Sequence, residues 1–343
     1  MINKILKSAR ALLSSPPKKE FYFYFESLIE HLKENYRSAD VPSIEIVYSL
    51  NKLCETFQYG QKRYIIYDQS LGQSFNKFNR LIYHEDAQEV RAYLCKLIGE
   101  EYYLINDIEN CIIFLISHQI NKKATLFDLP KDFLLKKTEL IIVQESFVLF
   151  HELAHNLIES NKDLLFKGQH FLETNERAKS IMAVFNDSQE SKNRTIFSHF
   201  NEELTCDMIA MELTYSYFRK DVNFNQNSIV EGISLAFLYL RTLIDIKLKA
   251  SGKYETSENQ YHLFTKLRYN LLRHYYTDSQ LFDINNNTPS LLVDLYEKWE
   301  EKIEMEIVLF LDDEYRTKLY DIMKQNNIPM KKEIALEMLG IKT

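Results

Sequence analysis

Helix-breaking residues are rare in this chain, and their scarcity limits the folds it can adopt more than any other feature. Its 343 residues include only 7 glycines and 6 prolines, where average usage gives roughly 24 and 17. Because glycine and proline interrupt helices and mark turns, long uninterrupted helices are expected. The sequence therefore predicts a mainly α fold with one small β-sheet (α+β).

Two short segments rich in β-branched and aromatic residues predict the strands of that sheet. They are Ser43–Tyr48 and Arg63–Tyr67, and Glu101–Ile105 is an alternative short strand. From about Asp132 to Glu159 there is no glycine or proline, so one long helix is predicted. Further helices are predicted near Phe197–Phe218, Ser228–Ala250, Glu258–Tyr276 and Pro289–Leu311.

The net charge and the cysteines indicate which partners and which cell compartment the protein has. A formal net charge of −7 argues against a nucleic-acid partner, because nucleic-acid binders are usually basic. The 4 cysteines form no C-x-x-C pair, which suits reduced thiols in a cytoplasmic protein. No apolar run has the length of a transmembrane helix and no secretory signal is recognisable. The sequence thus predicts a cytoplasmic protein with no transmembrane span.

The first residues form a basic segment of their own. Residues 1–19 contain lysines and one arginine but no acid, and apolar residues recur at helical spacing up to Leu13. This pattern predicts an amphipathic basic helix. Such a helix can lie on an anionic membrane or dock a partner, although packing on its own domain is the more common arrangement.

The motif that carries chemistry is H-E-x-x-H at 151–155, inside the predicted long helix. Residues four apart share a helix face, so His151 and His155 can bind one Zn²⁺ ion. Glu152 stands beside that face and can take a proton from a water that the zinc activates. The motif predicts a catalytic zinc site with Glu152 as the general base.

A third zinc ligand must come from elsewhere, and Glu203 is the best candidate. The metzincin pattern fails, because Ile158 replaces its glycine and Asn161 its third histidine. Glu203 and Asp207 share one face of a later helix, so Glu203 can bind the metal while Asp207 accepts the free ring N–H of a ligating histidine. Glu159 and Glu202 remain alternative ligands.

Together these residues resemble the gluzincin metallopeptidases, in which H-E-x-x-H is followed by E-x-x-x-D on a second helix. The segment from His262 to Arg268 is similar to the H-P-x-x-x-x-R segment of the CAAX-prenyl endopeptidase-like family, with leucine in place of proline. The resemblance implies that His262 donates to the oxyanion. It also implies that Arg268 braces the Glu203 helix or a substrate carboxylate. Tyrosines of the C-terminal helices are alternative oxyanion donors.

The same resemblance implies a zincin-like core with helical insertions. Its edge strand, which would pair with an extended peptide, is expected at Arg63–Tyr67. The expected organisation is one compact unit made of a helical segment at 1–36, a small sheet with a helical insertion at 37–136, the zincin metal-binding core at 137–276 and a helical tail at 277–343.

The function predicted from these features is a zinc-dependent endopeptidase that acts on a protein or peptide substrate. A zinc-containing regulatory or peptide-binding protein without turnover is the alternative from another class. A weaker resemblance, in size and in the H-E-x-x-H motif, is to the phage-exclusion peptidases of the Lit type, which implies a host-defence protease that needs a trigger. The polar segment Asn186–Thr195 or the basic N-terminal helix could then gate the cleft.

Overall fold

The structure is a computed structural model that describes residues 17–36, 41–83, 87–122, 131–187, 194–221, 224–252, 259–278, 288–310 and 313–341. The basic segment predicted up to Leu13 and most of the predicted gating loop at 186–195 lie outside these residues. The described chain is mostly helical with one small sheet, as the scarcity of helix breakers predicted.

Among the described helices that precede the H-E-x-x-H motif, the first comes before the strands in the sequence and the others follow them. They are α1 (Tyr24–Asn35), α2 (Gln69–Tyr83), α3 (Ala87–Leu104) and α4 (Ile108–Asn121). The alternative strand at Glu101–Ile105 is wrong, because α3 continues through Leu104.

The helices that follow are longer and include the predicted central one. They are α5 (Lys131–Ser160), α6 (Leu165–Thr174), α7 (Glu176–Asp187), α8 (Arg194–Phe218), α9 (Gln226–Ala250), α10 (Asn259–Asp278), α11 (Thr288–Trp299), α12 (Met305–Phe310), α13 (Asp313–Gln325) and α14 (Lys332–Met338). A π-helical turn at Glu300–Glu304 joins α11 to α12, where the sequence predicted one continuous helix.

The sheet has three strands in the order β1-β3-β2: β1 (Ser43–Val47), β2 (Cys54–Tyr59) and β3 (Lys62–Asp68). β1 runs parallel to β3 and β2 runs antiparallel to it. The β2–β3 hairpin turns at Gly60, whose φ of 63° lies in the left-handed region that glycine tolerates best.

The expectation that Arg63–Tyr67 is an edge strand is wrong. That segment belongs to β3, which pairs with a strand on each side. Its side chains are buried continuously from Ile65 to Asp68, as is usual for a central strand. The edge strand beside the long helix is β2, whose mixed sequence C-E-T-F-Q-Y carries little strand signal.

Helix α5 is the element around which the others pack. It lies against α8, α9 and α2, and it also contacts β2. Apolar side chains such as Phe147, Phe150 and Leu153 are at most 1% exposed. One cluster of buried side chains extends from Tyr22 to Ala335. None of the helices in the described part of the chain combines the length and apolarity needed to cross a lipid bilayer.

Candidate metal centre

The two histidines of the motif lie on one face of α5, as their spacing requires. Their ring centroids are 5.1 Å apart, and their side chains are 13% and 20% exposed. Apolar residues between them, such as Leu153 and Ala154, face the core and are at most 1% exposed. The helix thus holds both imidazoles at the edge of the core, within reach of the neighbouring α8.

Helix α8 brings the third predicted ligand to the same place. A Glu203 carboxylate oxygen lies 3.5 Å from Nε2 of His151, and the other oxygen lies 3.5 Å from Nε2 of His155. One ligand atom from each of the three residues lies within 4.8 Å of the others. Two atoms bound to a tetrahedral zinc ion at about 2.0–2.1 Å are roughly 3.4 Å apart. These three residues therefore form a cluster that could hold a metal ion.

A buried carboxylate orients the first histidine. Asp207 is 1% exposed and lies 2.8 Å from Nδ1 of His151. When Nδ1 carries the proton and donates it to Asp207, the lone pair of Nε2 is left for a metal. Of the two histidines of the motif, His151 is thus the one that contacts Asp207.

Arg268 links α10 to two acidic residues of α8, Asp207 and Glu203. Its Nε and one terminal nitrogen donate to the two oxygens of Asp207 at 2.6 and 2.7 Å, and its other terminal nitrogen donates to Glu203 at 2.9 Å. These contacts match the first of the two roles that the resemblance implied for Arg268, namely bracing the Glu203 helix. The planar guanidinium suits this fork better than an ammonium group would.

Glu202, an alternative ligand by sequence, lies beside the second histidine. Its carboxylate is 3.3 Å from Nδ1 of His155 and its side chain is 42% exposed. It therefore faces the ring nitrogen opposite the one that approaches Glu203. Glu159, the other alternative, pairs with Arg63 at 3.4 Å and is 57% exposed. Neither belongs to the cluster of candidate ligand atoms within the described residues.

The predicted general base is held by the edge strand. The backbone N–H of Thr56, on β2, donates to Oε2 of Glu152 at 2.8 Å. The Thr56 hydroxyl accepts a hydrogen bond from the Asn156 amide at 2.8 Å, one turn further along α5. No sequence pattern predicted this contact, because a backbone donor on a weakly patterned strand leaves no side-chain motif.

Neighbouring charges shift the pKa values of the residues in this cluster. Burial alone would lower the pKa of His151, but the hydrogen bond to Asp207 and the charges of Asp207 and Glu203 raise it to about 10. Burial would raise the pKa of Glu203, but Arg268 and the two histidines hold it well below its usual range. Glu203 is thus an anion at any physiological pH, as a metal ligand must be.

The environment of Glu152 differs from that of Glu203. Burial raises the pKa of Glu152 to about 7, even though the charge of His151 and the hydrogen bond from Thr56 favour ionisation. A carboxylate whose pKa lies near neutrality is a more effective proton acceptor than an exposed one. The pKa values of two glutamates in one site are thus shifted in opposite directions, that of Glu203 downward and that of Glu152 upward.

His262 is the one predicted site residue whose side chain lies outside the description. The backbone places it on α10, the helix that also carries Arg268. Its role as an oxyanion donor stays a prediction.

Comparisons with known proteins identify no relative. No family model matches the chain, and neither the curated proteins nor the solved structures include a significant match.

Proposed function

We propose that this protein is a zinc-dependent endopeptidase of the gluzincin type, with a zincin-like core built on α5, α8 and β2. The observation that carries the proposal is the convergence of His151, His155 and Glu203 from two helices, with their ligand atoms within 4.8 Å. Asp207 as the partner of His151, and the half-buried Glu152 beside the cluster, add what a metal-binding site alone would not require.

The fit of the donor set supports zinc as the metal. Two imidazoles and one carboxylate are a common ligand set of catalytic zinc sites, and they leave one coordination position open. When bound, zinc would act as a Lewis acid that activates water and polarises the scissile carbonyl.

Glu152 is the group that moves the proton in this proposal. Its Oε2 accepts from Thr56, so its Oε1 is the candidate acceptor of a proton from the attacking water. The same carboxyl then returns the proton to the leaving amine. His262, on the resemblance alone, is the candidate donor to the oxyanion, and tyrosines of the C-terminal helices are the alternatives.

Among the described strands β2 is at an edge of the sheet, and this edge supports a peptide as the substrate. The Thr56 N–H points to Glu152 rather than to β3, so the alternating pattern of an antiparallel pair turns the backbone groups of Cys54 and Gln58 to the side away from β3. An extended peptide that pairs with this edge would pass directly beside Glu152. Hydrogen bonds between backbones do not depend on the side chains of the peptide. Preference for particular side chains would therefore come from the surrounding helices.

The decisive experiment separates metal binding from hydrolysis. We expect purified protein to contain about one zinc ion per chain and to cleave casein until a chelator is added. Glu152→Gln should keep the zinc and lose hydrolysis by at least about a hundredfold, since it removes the base but no ligand. Glu159→Gln, on the same helix but exposed, is the matched control and should keep both. Full activity in Glu152→Gln would refute the proposal.

The ligands are tested by zinc analysis. His155→Ala and Glu203→Ala should both lose the metal, and Glu202→Gln should retain it. If the three-residue cluster binds zinc but neither casein nor a mixed peptide pool is cleaved, the alternative of a regulatory or peptide-binding protein without turnover is favoured instead.

A further inference from the structure

The three-stranded sheet has one face toward the main core and one face away from it. On the central strand β3, Ile65 and Tyr67 belong to the main core. Ile66, which alternates with them, packs instead with Val47 and Phe57 in a small separate cluster. Because successive side chains of a strand point to opposite faces, these three residues define the second face, which we call the outer face.

Glu55 lies on this outer face, in the edge strand β2. It is opposite Ile66 in the β2–β3 pair, and its side chain is exposed. Among the described residues, none forms an ion pair or a hydrogen bond with its carboxylate. Glu55 thus presents a negative charge at the edge of the sheet that no neighbour in this part of the chain neutralises.

Cations of the neighbouring segments are engaged elsewhere or lie further away. Lys52, just before β2, is buried and lies 2.7 Å from Glu100. Arg63 points to the core side of β3, where it pairs with Glu159 of α5 at 3.4 Å. Lys62 shares the outer face but is opposite Tyr59, four residues or about 13 Å along the strand from this carboxylate.

The backbone of β2 determines how a peptide would meet Glu55. The Thr56 N–H points to Glu152 at 2.8 Å, so the backbone groups of Glu55 itself point to β3. In a peptide that pairs antiparallel, the commoner orientation, the residue opposite Glu55 would form a non-hydrogen-bonded pair with it. Side chains approach most closely in such pairs, and opposite charges across them are stabilising.

Glu55 is also close to the proposed point of cleavage. It precedes Thr56, whose N–H binds the candidate base Glu152. Burial is the main cause of the raised pKa of Glu152, and the charges of Glu203 and Glu55 add to it. The peptide residue opposite Glu55 would therefore lie within about two residues of the scissile bond.

Other residues of the outer face do not offer the same charge to a peptide on β2. Phe57, two residues further along β2, stacks on Tyr64 of β3 with ring centroids 5.2 Å apart. Glu45 of β1 is in the same row as Glu55, but on the other side of Ile66. Two strand spacings, about 9–10 Å, separate the two glutamates. Glu45 is therefore a matched carboxylate that such a peptide would not touch.

We propose that the peptidase site prefers substrates with a lysine or arginine opposite Glu55, close to the scissile bond. The inference rests on the proposed function, because it places a peptide along β2. A single cross-strand charge pair on an exposed edge supports a modest selectivity, about two- to fivefold. The substrate class is thus basic peptides, and Glu55 is the residue that determines this specificity.

The first test measures cleavage of peptides copied from a cleavage site in casein. Lysine, glutamine or glutamate replaces in turn each of the two residues on either side of the scissile bond, and kcat/KM is measured at low salt. At one position, wild type should cleave the lysine peptide about two- to fivefold faster than the glutamine peptide, and the glutamate peptide more slowly still. Glu55→Gln should lose this preference, Glu55→Lys should reverse it, and Glu45→Gln should keep it.

The second test separates this inference from the proposed function. Fluorescence anisotropy measures how labelled alanine-rich decapeptides with a central lysine, glutamine or glutamate bind Glu152→Gln loaded with zinc. The lysine peptide should bind about two- to fivefold more tightly than the glutamine peptide. If this preference is found but wild type cleaves nothing, the peptidase proposal fails and the basic ligand class stands. Equal binding of the three peptides, or a preference that survives the addition of Glu55→Gln, overturns the inference even when wild type cleaves casein.

Discussion

The Asp207 carboxylate lies 2.8 Å from Nδ1 of His151 and is 1% exposed. The corresponding partner of His155, Glu202, is 3.3 Å from Nδ1 and 42% exposed. The two candidate ligands are thus oriented unequally, because a buried hydrogen bond restrains a ring more strongly than a solvated one.

This asymmetry predicts unequal effects on metal affinity. Asp207→Asn should weaken zinc binding by about 10–100-fold, since the charged partner of His151 is lost. Glu202→Gln, the matched change on the same helix, should weaken it by less than about threefold. Competition with a chromophoric chelator at fixed pH measures both constants. Equal losses in the two variants would contradict the asymmetry.

The hydrogen bond from Thr56 to Glu152 predicts a role for the edge strand in turnover. Thr56→Pro removes the N–H donor without breaking a hydrogen bond to β3, because this N–H points to Glu152. Activity should fall by about tenfold with the zinc content unchanged. Thr56→Val keeps the N–H but loses the hydroxyl that accepts from Asn156, and it should lose less. A Thr56→Pro variant with unchanged kcat would show that this bond does not position the base.

The sequence predicted the parts of the site that depend on helical spacing. His151 with His155, and Glu203 with Asp207, are pairs four residues apart on helices without breakers, so each pair had to share a face. The position of Glu152 beside the two histidines followed from the same geometry.

Other parts of the site depend on contacts between distant segments, which the spacing of residues along one helix does not reveal. Strand β2 was missed because its mixed polar sequence lacks the alternation of a half-buried strand. Glu202 was predicted only as an alternative ligand, and its contact with Nδ1 of His155 was not predicted. The three hydrogen bonds of Arg268 were indicated only by a weak motif, because they join two helices that are far apart in sequence.

Arg268 is expected to contribute strongly to stability. Its contacts neutralise Asp207, which is 1% exposed, and Glu203, which is 20% exposed. Arg268→Met should therefore lower the free energy of unfolding by about 3–5 kcal/mol, because Asp207 and Glu203 then keep only the histidines of the motif as partners. Arg91→Met is the control, since Arg91 pairs with Glu306 through two bonds but is 48% exposed; it should cost about 1 kcal/mol or less. Urea unfolding of both variants checks the difference, and similar losses would contradict it.

Glu145 is expected to make stability depend on pH in the direction opposite to most carboxylates. It accepts hydrogen bonds from the hydroxyls of Tyr24 and Tyr67 in the core, where burial raises its pKa to about 7. The folded state therefore binds a proton that the unfolded state has released between pH 4.5 and 7, so stability falls as pH rises through this window. Glu145→Gln removes this titrating group. The free energy of unfolding of the variant minus that of wild type should therefore increase by about 2 kcal/mol between pH 5 and pH 8. Glu314→Gln, an exposed carboxylate on α13, should stay within about 0.5 kcal/mol of wild type at both pH values. Urea unfolding at the two pH values measures this difference, and a constant gap between Glu145→Gln and wild type would show that Glu145 is ionised throughout.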